Sequence, residues 1–245
     1  MNTQYQIISP MADVYGVPNT QARRGKFETQ LVQGELFTVT EEKDGWCKGT
    51  CVHDAYPGYI QSIHLTKQAV TPTHIVTAAR SHTYREPSIK SSFVAMLSFG
   101  SLIKVNDSKD GFAQINGGAW IYEKHVASIT DTEKDYIATA RKFLETPYYW
   151  GGRSGFGIDC SGLVQVSLAR AGIAVPRDSD VQEAHIGKAV DKAQADDIVF
   201  FKGHVGLMAD DRHLLHANAF HMKTVIEPLA DVVSRGNAIT SVRRI

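Results

Sequence analysis

Cys160 occupies a position where a thiol could act as a nucleophile. A glycine-rich loop over residues 151–157 precedes it and an apolar run with helical spacing follows, so the sequence predicts that a helix begins here. Asp159 is of the residue type preferred as a helix cap, and Ser161 would lie in the first turn. The free N–H groups and the positive dipole end of a helix start favour a thiolate and could also hold an oxyanion.

A thiolate needs a base, usually a histidine, and the chain offers ten of them. Strand geometry favours His204, because it begins an apolar strand and His216 lies in the next one, with the turn-forming residues 210–212 between them. A hairpin centred on Asp210 would set His204 directly opposite His216, with their Cβ atoms about 4.5–5.5 Å apart. His216 could then orient the ring of His204 and fix its tautomer. A shift of one residue in the hairpin would remove this opposition.

Other chemistries find less support in the sequence. His213, His216 and His221 could suggest a metal site, but strand alternation puts the first two on opposite faces, and no carboxylate or thiol completes the set. The loop over residues 151–157 lacks the Gly-Lys-Ser/Thr ending of a nucleotide-binding loop. We therefore expect no metal and no other cofactor.

The segment from residue 130 to the C-terminus predicts an α+β domain that would position these side chains. Thr130 and Glu133 have capping-box spacing, and a first helix would run from there to Pro147. The helix that begins at Cys160 would close at Gly172. β-rich runs follow at residues 198–201, 204–208, 214–217, 224–226 and 240–243.

The first 130 residues contain an internal repeat that predicts two small all-β domains. In each copy a Lys-Asp-Gly turn follows an apolar strand and an aromatic residue opens the next strand. The linker over residues 71–73 suits a boundary between them. The matched positions, at a constant offset of 66 residues, are Leu31/Leu97, Gly34/Gly100, Leu36/Leu102, Val39/Val105, Lys43/Lys109, Asp44/Asp110, Gly45/Gly111 and Trp46/Phe112.

Each copy resembles the bacterial SH3-like barrel, over roughly residues 10–68 and 72–129, and the remainder resembles the NlpC/P60 cysteine peptidases of the cell wall. The motifs that carry the second resemblance are Pro147-Tyr-Tyr-Trp-Gly-Gly152, Gly157-Ile-Asp-Cys-Ser-Gly-Leu163, Pro176-Arg-Asp-Ser179 and Gly203-His-Val-Gly206. The resemblance implies a papain-like core and a division of the chain into residues 1–70, 71–129 and 130–245.

The NlpC/P60 resemblance also implies an activity and roles for single residues. The expected reaction is hydrolysis of the γ-D-glutamyl bond to a diamino acid in peptidoglycan peptides. Carried over from the family, Cys160 is the nucleophile, His204 the base and His216 the third, orienting residue. Tyr148, twelve residues before Cys160, is the expected oxyanion donor. Asp159, Ser161 and Ser179 would bind the D-glutamyl end.

The resemblance further implies a place in recycling, since some family members with two SH3-like domains in front of the peptidase and a cytoplasmic address act on muropeptides already released from the wall. In them the first SH3-like domain is expected to cap the site and to receive the free L-Ala amine through an acidic residue and a tyrosine. Glu28 and Tyr59 are the candidates for this pair here. The second copy has Val94 and Trp120 near those places, so the acidic residue belongs to the first copy alone.

Composition bounds the remaining functions. Formal net charge is +0 from 26 basic and 26 acidic residues, so no overall field attracts nucleic acid or anionic lipid. No run of 18 or more residues is apolar throughout, and the N-terminus lacks signal-peptide features, so we expect a cytoplasmic protein without a membrane partner. Three cysteines make no disulfide framework, and Cys47 and Cys51 are interpreted as ordinary thiols.

Three alternatives to a peptidase that acts on free muropeptides stay open. The chain could hydrolyse intact peptidoglycan. It could be a wall-binding module, in which the two SH3-like domains bind the wall and the peptidase domain has lost its activity. The complete set of Tyr148, Cys160, His204 and His216 argues against this. The chain could be an acyltransferase that uses the same cysteine and histidine on lipid esters, although no amphipathic anchor is apparent in the sequence.

Overall fold

The computed structural model describes residues 3–19 and 27–245. The chain divides into two compact units, Met1–Asp131 and Thr132–Ile245. The first unit is all β and the second mixes helices with an antiparallel sheet, which confirms the predicted α+β class. The further division of the first unit at residues 70 and 71 stays a prediction.

Short strands make up the first unit, and over the described residues they form sheets of seven, five and three strands. The seven-stranded sheet belongs to the first copy of the repeat, and the other two sheets belong to the second. The strands are β1 (Thr3–Ile7), β2 (Met11–Tyr15), β3 (Phe27–Val32), β4 (Leu36–Lys43), β5 (Trp46–Cys51), β6 (Pro57–Gln61), β7 (Leu65–Thr66), β8 (His74–Val76), β9 (Arg80–Tyr84), β10 (Phe93–Ser98), β11 (Leu102–Ile103), β12 (Val105–Lys109), β13 (Phe112–Ile115), β14 (Trp120–Tyr122) and β15 (Val126–Ser128).

The predicted Lys-Asp-Gly turns join β4 to β5 and β12 to β13. Asp44 and Gly45 have φ of 50° and 78°, and Asp110 and Gly111 have φ of 51° and 77°. Positive φ at both central residues defines a turn whose twist matches that of the flanking strands, and Asp-Gly adopts it at low cost. The repeat detected in the sequence is therefore a repeat of hairpin geometry.

Apolar side chains form a separate core in each copy. Cys47 and Cys51 lie in the first core beside Phe37 and Ile60, and both thiols are buried. Burial raises the pKa of Cys47, so this thiol is less reactive than an exposed one. The second core gathers around Leu97.

The second unit places helices against an antiparallel sheet with the strand order β18-β23-β19-β20-β21-β22. A small hairpin of β16 and β17 precedes the helix that carries Cys160. The elements are α1 (Tyr136–Arg141), β16 (Arg153–Ser154), β17 (Gly157–Ile158), α2 (Cys160–Arg170), α3 (Ser179–His185), β18 (Lys188–Val190), β19 (Ile198–Phe201), β20 (His204–Met208), β21 (His213–Asn218), β22 (Lys223–Pro228), α4 (Leu229–Ser234) and β23 (Ile239–Arg244).

Close packing between α2 and the sheet fixes the nucleophile relative to the strands. Helix α2 packs on β20 and β21, and its residues Cys160 to Leu168 are all buried. Gly206 in β20 is needed at the centre of the sheet, because a Cβ there would stand 2.8 Å from Leu214. No helix in the described residues is long and apolar enough to cross a bilayer.

The first helix departs from the sequence prediction. Helix α1 begins at Tyr136, and its cap is Asp135, whose carboxylate accepts the N–H of Ala138 at 2.7 Å. The predicted capping box at Thr130 and Glu133 is therefore wrong. An aspartate at the cap position satisfies the same free N–H groups just as well, and it lies closer to the apolar stripe of the helix.

Candidate active site

Cys160 is the first residue of α2, as its sequence context predicted. Asp159 is the cap: it has extended backbone, and its Oδ1 accepts the N–H of Gly162 at 2.7 Å. Gly162 allows the preceding loop to lie against this helix start, because a Cβ would stand 2.3 Å from the carbonyl oxygen of Gly152. Cap and glycine together hold the thiol at a rigid helix end. Cys160 is only 7% exposed.

A buried ion pair supports this helix start. The guanidinium of Arg177 donates to Asp159 Oδ2 at 2.6 Å and to Ser161 Oγ at 2.7 Å. The backbone N–H of Gly151 also donates to Asp159 Oδ2, at 2.7 Å. Asp159 and Ser161 thus stand on either side of Cys160, and both are fixed by Arg177, a residue to which the sequence analysis gave no role of its own.

His204 and His216 are joined by a hydrogen bond between Nε2 of His204 and Nδ1 of His216, at 2.8 Å. The predicted hairpin register is wrong, however. Leu207 pairs with Leu215 and Met208 with Leu214, so the hairpin centres on Asp211 rather than on Asp210. In this register His216 is the diagonal neighbour of His204 on the same face, and two imidazole rings are long enough to bridge that separation.

The backbone brings the first histidine next to the thiol. The N–H of Val205, the residue after His204, donates to the Cys160 thiol, as does the N–H of Ser161. Nε2 of His204 is bonded to His216, so Nδ1 is the ring nitrogen that this contact does not use. The site therefore brings together a thiol and two histidines.

Burial acts against charge at both Cys160 and His204. It raises the pKa of the Cys160 thiol to about 12, with the Asp159 carboxylate adding to the rise and the two N–H donors opposing it. It lowers the pKa of His204 to about 4, with His216 adding to the fall and Glu227 opposing it. Burial thus outweighs the effect of the helix start and favours the neutral forms of both the thiol and the imidazole.

Glu227, which was not predicted from the sequence, extends the hydrogen bonds from His204 and His216. Nε2 of His216 lies 2.8 Å from Oε1 of Glu227, and Arg235 donates to both carboxylate oxygens, at 2.9 and 2.6 Å. His216 pairs with Val225 across β21 and β22, so Glu227 is its diagonal neighbour on the same face. The register of this second hairpin is the signal that could have predicted Glu227.

Tyr148 lies half-buried before β16 and is bridged to Ile158, two residues ahead of Cys160. Burial raises the pKa of its hydroxyl, and the neighbouring Cys160 and Asp159 raise it further. The hydroxyl therefore keeps its proton and can donate a hydrogen bond at neutral pH. This is the property that an oxyanion donor needs.

The remaining predicted substrate-binding residues lie in different parts of the chain. Ser179 is the first residue of α3 and is partly exposed. Gln182 of that helix donates to the carbonyl oxygen of Ser161 at 3.0 Å, which ties α3 to the start of α2. Glu28 stands in β3 at a bulge, and Tyr59 is half-buried in β6, with β2 between the two strands. The roles of Ser179, Glu28 and Tyr59 stay predictions.

Two of the histidines first considered for a metal do share a carboxylate. Glu227 contacts His221 at 3.2 Å as well as His216. Both of its oxygens also accept hydrogen bonds from Arg235, a cation that disfavours a metal at the same place. Within residues 3–19 and 27–245, no group of three or more His, Cys, Asp or Glu is arranged to hold a metal ion.

Comparison with known proteins agrees with this fold. The model of the NlpC/P60 family matches residues 145–241, and that of the bacterial dipeptidyl-peptidase SH3 domain matches residues 20–65. A γ-D-glutamyl-L-lysine dipeptidyl-peptidase of Bacillus cereus is 30% identical over 239 residues, which cover 83% of this chain and 71% of that protein. The protein of the same name from Bacillus subtilis is 28% identical over 212 residues, covering 78% and 72%.

Solved structures extend the similarity to the whole fold. The crystal structure of an NlpC/P60 family protein from Bacillus cereus superposes with a TM-score of 0.84 at 24% identity, and the match covers 99% of each chain. The chain belongs to the NlpC/P60 family of cysteine peptidases, with a bacterial SH3 domain in front of the peptidase. The family model for that SH3 domain matches the first copy of the repeat.

Proposed function

We propose that this chain is a cysteine peptidase that hydrolyses the γ-D-glutamyl bond to a diamino acid in peptidoglycan peptides, with Cys160 as nucleophile and His204 as base. The observation that carries the proposal is the hydrogen bond from the Val205 N–H to the Cys160 thiol. It sets the strand that bears His204 against the only thiol at a helix start among the described residues. The neutral state of both groups suits a thiol that is deprotonated as it attacks.

In the first half of the proposed reaction, Cys160 Sγ attacks the γ-carbonyl carbon of the D-glutamyl residue. Its proton passes to Nδ1 of His204, and the carbonyl π electrons become an oxyanion. Tyr148 donates its hydroxyl proton to a hydrogen bond with that oxygen. When the intermediate collapses, the C–N bond breaks and the amine of the diamino acid leaves with the proton from His204.

In the second half, water replaces the amine. His204 takes a proton from the water as its oxygen attacks the thioester. The C–S bond then breaks to release a γ-carboxyl group, and the departing sulfur takes the proton from His204 to restore the Cys160 thiol. His216 acts throughout by holding Nε2 of His204, so that Nδ1 stays directed at sulfur. Asp159 and Ser161, which flank the nucleophile, would bind the D-glutamyl moiety together with Ser179.

The names of the relatives support the choice of substrate. Two of them are γ-D-glutamyl-L-lysine dipeptidyl-peptidases, which release a dipeptide from the N-terminal end of a peptide. We propose cleavage at the same position here: L-Ala-γ-D-Glu is released from free muropeptides whose L-Ala amine is unblocked. Glu28 and Tyr59 are our candidates for recognition of that amine.

A product assay tests the proposal and separates it from its alternatives. L-Ala-γ-D-Glu-L-Lys, its diaminopimelate counterpart, intact sacculi and a lipid ester would be incubated in parallel with the wild type and with Cys160→Ala. We expect L-Ala-γ-D-Glu from the free tripeptides with wild type alone, as measured by mass spectrometry. Equal release from sacculi would favour a wall hydrolase, and turnover of the ester alone an acyltransferase. Binding to sacculi without turnover of any substrate would favour a wall-binding protein.

A further inference from the structure

The hydrogen bonds that start at Glu227 run in one direction toward the thiol. The carboxylate of Glu227 contacts Nε2 of His216, and Nδ1 of His216 contacts Nε2 of His204. Nδ1 of His204 is then the ring nitrogen that the proposed mechanism uses to take the proton of Cys160. Each contact between ring nitrogens needs one donor and one acceptor, since a neutral imidazole carries a single N–H. The state of one end therefore determines the state of the other.

The proton positions follow from the charge on Glu227. Burial alone would raise the pKa of this carboxyl, but hydrogen bonds from Arg235, His216 and His221 outweigh it and lower the pKa to about 2. An ionised carboxylate only accepts, so the proton of His216 must lie on Nε2. Nδ1 of His216 then accepts the Nε2 proton of His204, and Nδ1 of His204 is left unprotonated, which is the form that a base requires.

One neighbouring contact could compete with this assignment. The side-chain nitrogen of Asn218 lies 3.0 Å from the same Nε2 of His216, and it could donate if that ring nitrogen carried no proton. The amide is held in this orientation by its Oδ1, which accepts the N–H of His221 at 2.8 Å. A bond to an ionised carboxylate is about twice as strong as one between neutral groups, so Glu227 determines where the proton lies.

We propose that Glu227, anchored by Arg235, is a positioning residue that holds His216 in the Nε2–H tautomer and thereby keeps Nδ1 of His204 free to take the proton of Cys160. The inference rests on the proposed roles of Cys160, His204 and His216. The negative charge of Glu227 also stabilises the positive charge that His204 gains during attack, although the His216 ring lies between them. Removal of Glu227 should lower activity for two reasons: His216 could then adopt the Nδ1–H tautomer, and the His204 imidazolium would be less stable.

Arg235 has a structural position that suits an anchor. It follows α4 as the cap residue, makes a two-pronged contact with Glu227, and lies over the ring of Phe220 with its guanidinium carbon 4.3 Å from the ring centroid. A two-pronged contact to a carboxylate fixes its plane as well as its position. Arg235 would thus aim one oxygen of Glu227 at His216.

The charged and titratable groups around the two rings come from three elements, α2, β22 and α4, and the residues beside them. Asp159 faces His204 from the start of α2, and Glu227 faces both rings from β22. Arg235 and His221 act on His216 from the end of α4 and from the turn before β22. Since Glu227 is the carboxylate bonded directly to this pair, its neutralisation has a predictable sign: His204 becomes a weaker base.

The test uses Glu227→Gln, which keeps shape and removes charge, and Arg235→Gln. The control is Asp210→Asn. Asp210 is a carboxylate paired at 2.8 Å with His213, a histidine of the same hairpin, and this pair is not part of the hydrogen bonds from Glu227 to His204. Histidine ¹⁵N chemical shifts of the full chain report which ring nitrogen is protonated. Alkylation of Cys160 by iodoacetamide, followed by mass spectrometry, reports its reactivity. Neither readout needs a substrate, so both remain valid if the proposed substrate is wrong.

For wild type and Asp210→Asn we expect a single His216 tautomer with the proton on Nε2. In Glu227→Gln both tautomers should appear, alkylation at neutral pH should slow about 10-fold or more, and kcat should fall while KM changes little, since a wrong tautomer disables a base without disturbing its position. Arg235→Gln should lose less than Glu227→Gln, and the double variant should lose no more than Glu227→Gln alone. A Glu227→Gln protein with the wild-type tautomer and alkylation rate would overturn the proposal. So would a wild-type His216 protonated on Nδ1.

Discussion

His204 and His216 are bonded ring to ring at 2.8 Å although they are diagonal and not directly opposed in their hairpin. The diagonal arrangement lets the ring of His216 reach back along the strand and occupy the Nε2 of His204. It also leaves the far nitrogen of His216 to Glu227 on the next strand. One face of three adjacent strands thereby carries the base, its partner and a carboxylate.

The order of the two rings predicts how histidine variants rank. His204→Ala should lower kcat/KM nearly as much as removal of the nucleophile, because nothing then accepts the thiol proton. His216→Ala should cost less, since it orients the base and does not transfer the proton itself. His213→Ala and His221→Ala should lose less than about 10-fold. Steady-state kinetics on the free tripeptide would check the order, and a His213 or His221 variant that is worse than His204→Ala would refute it.

The lowered pKa of His204 predicts activity at unusually acidic pH. The base stays neutral until pH falls through about 4, whereas an ordinary histidine becomes protonated near 6.5. The acidic limb of kcat/KM should therefore lie near pH 4, provided that the fold persists there. In Glu227→Gln the limb should move to still lower pH and the plateau should drop, because the imidazolium has lost a nearby negative charge. A limb near 6.5 in the wild type would show that burial does not control this group.

The pair of Arg177 and Asp159 predicts a stability effect at the helix start. Their side chains are 1% and 8% exposed, so loss of the cation would leave a buried carboxylate uncompensated. We expect Arg177→Met to destabilise the second unit by about 3–5 kcal/mol and Arg177→Met/Asp159→Asn to recover part of that loss. Denaturant unfolding of the full chain, with hydrogen exchange at the amides of α2 as a local readout, would measure both. A double variant less stable than the single one would contradict this account.

Recognition of a free amine predicts a dependence on the peptide N-terminus. L-Ala-γ-D-Glu peptides should be cut, while the same peptides acylated on the L-Ala nitrogen should be cut poorly. A site that pairs a polar group can discriminate by about 10⁴-fold when the group is missing. Glu28→Ala should lower kcat/KM on the free peptide and should leave the acylated peptide unaffected. Competition assays with both peptides would measure the ratio, and equal rates would remove Glu28 and Tyr59 from the recognition role.

Much of the fold could be predicted because local patterns and tertiary structure agree here. The Asp-Gly turns of both copies, the helix start at Cys160 and the strands 198–201 and 204–208 appear at the predicted residues. The start of α1 was misplaced between two local cap signals, Thr130 and Asp135, whereas the hairpin register needed the folded structure. A hairpin centred on Asp210 and one centred on Asp211 have almost the same local sequence signals, and only the observed strand pairing distinguishes them.

Arg235 could not be found from sequence spacing alone, and Glu227 could be found only with the register of the second hairpin in hand. Their link to the site depends on the register of β21 against β22 and on where α4 ends, and neither is encoded by a local motif. The charge states of Cys160 and His204 were likewise hidden, because burial outweighs the helix start and burial is a property of the folded chain. Residue types therefore predicted the reacting groups, and the folded structure was needed to find the residues that position them, Glu227 and Arg235.

The most direct test of the account compares three cysteine variants in the same turnover assay. Cys160→Ala should reduce hydrolysis of L-Ala-γ-D-Glu-L-Lys by about 10⁴-fold or more while the far-UV circular dichroism spectrum stays that of the wild type. Cys47→Ala and Cys51→Ala remove thiols buried in the first unit and should retain activity. Turnover by a folded Cys160→Ala protein at a rate comparable to wild type would contradict the assignment of Cys160 as the nucleophile.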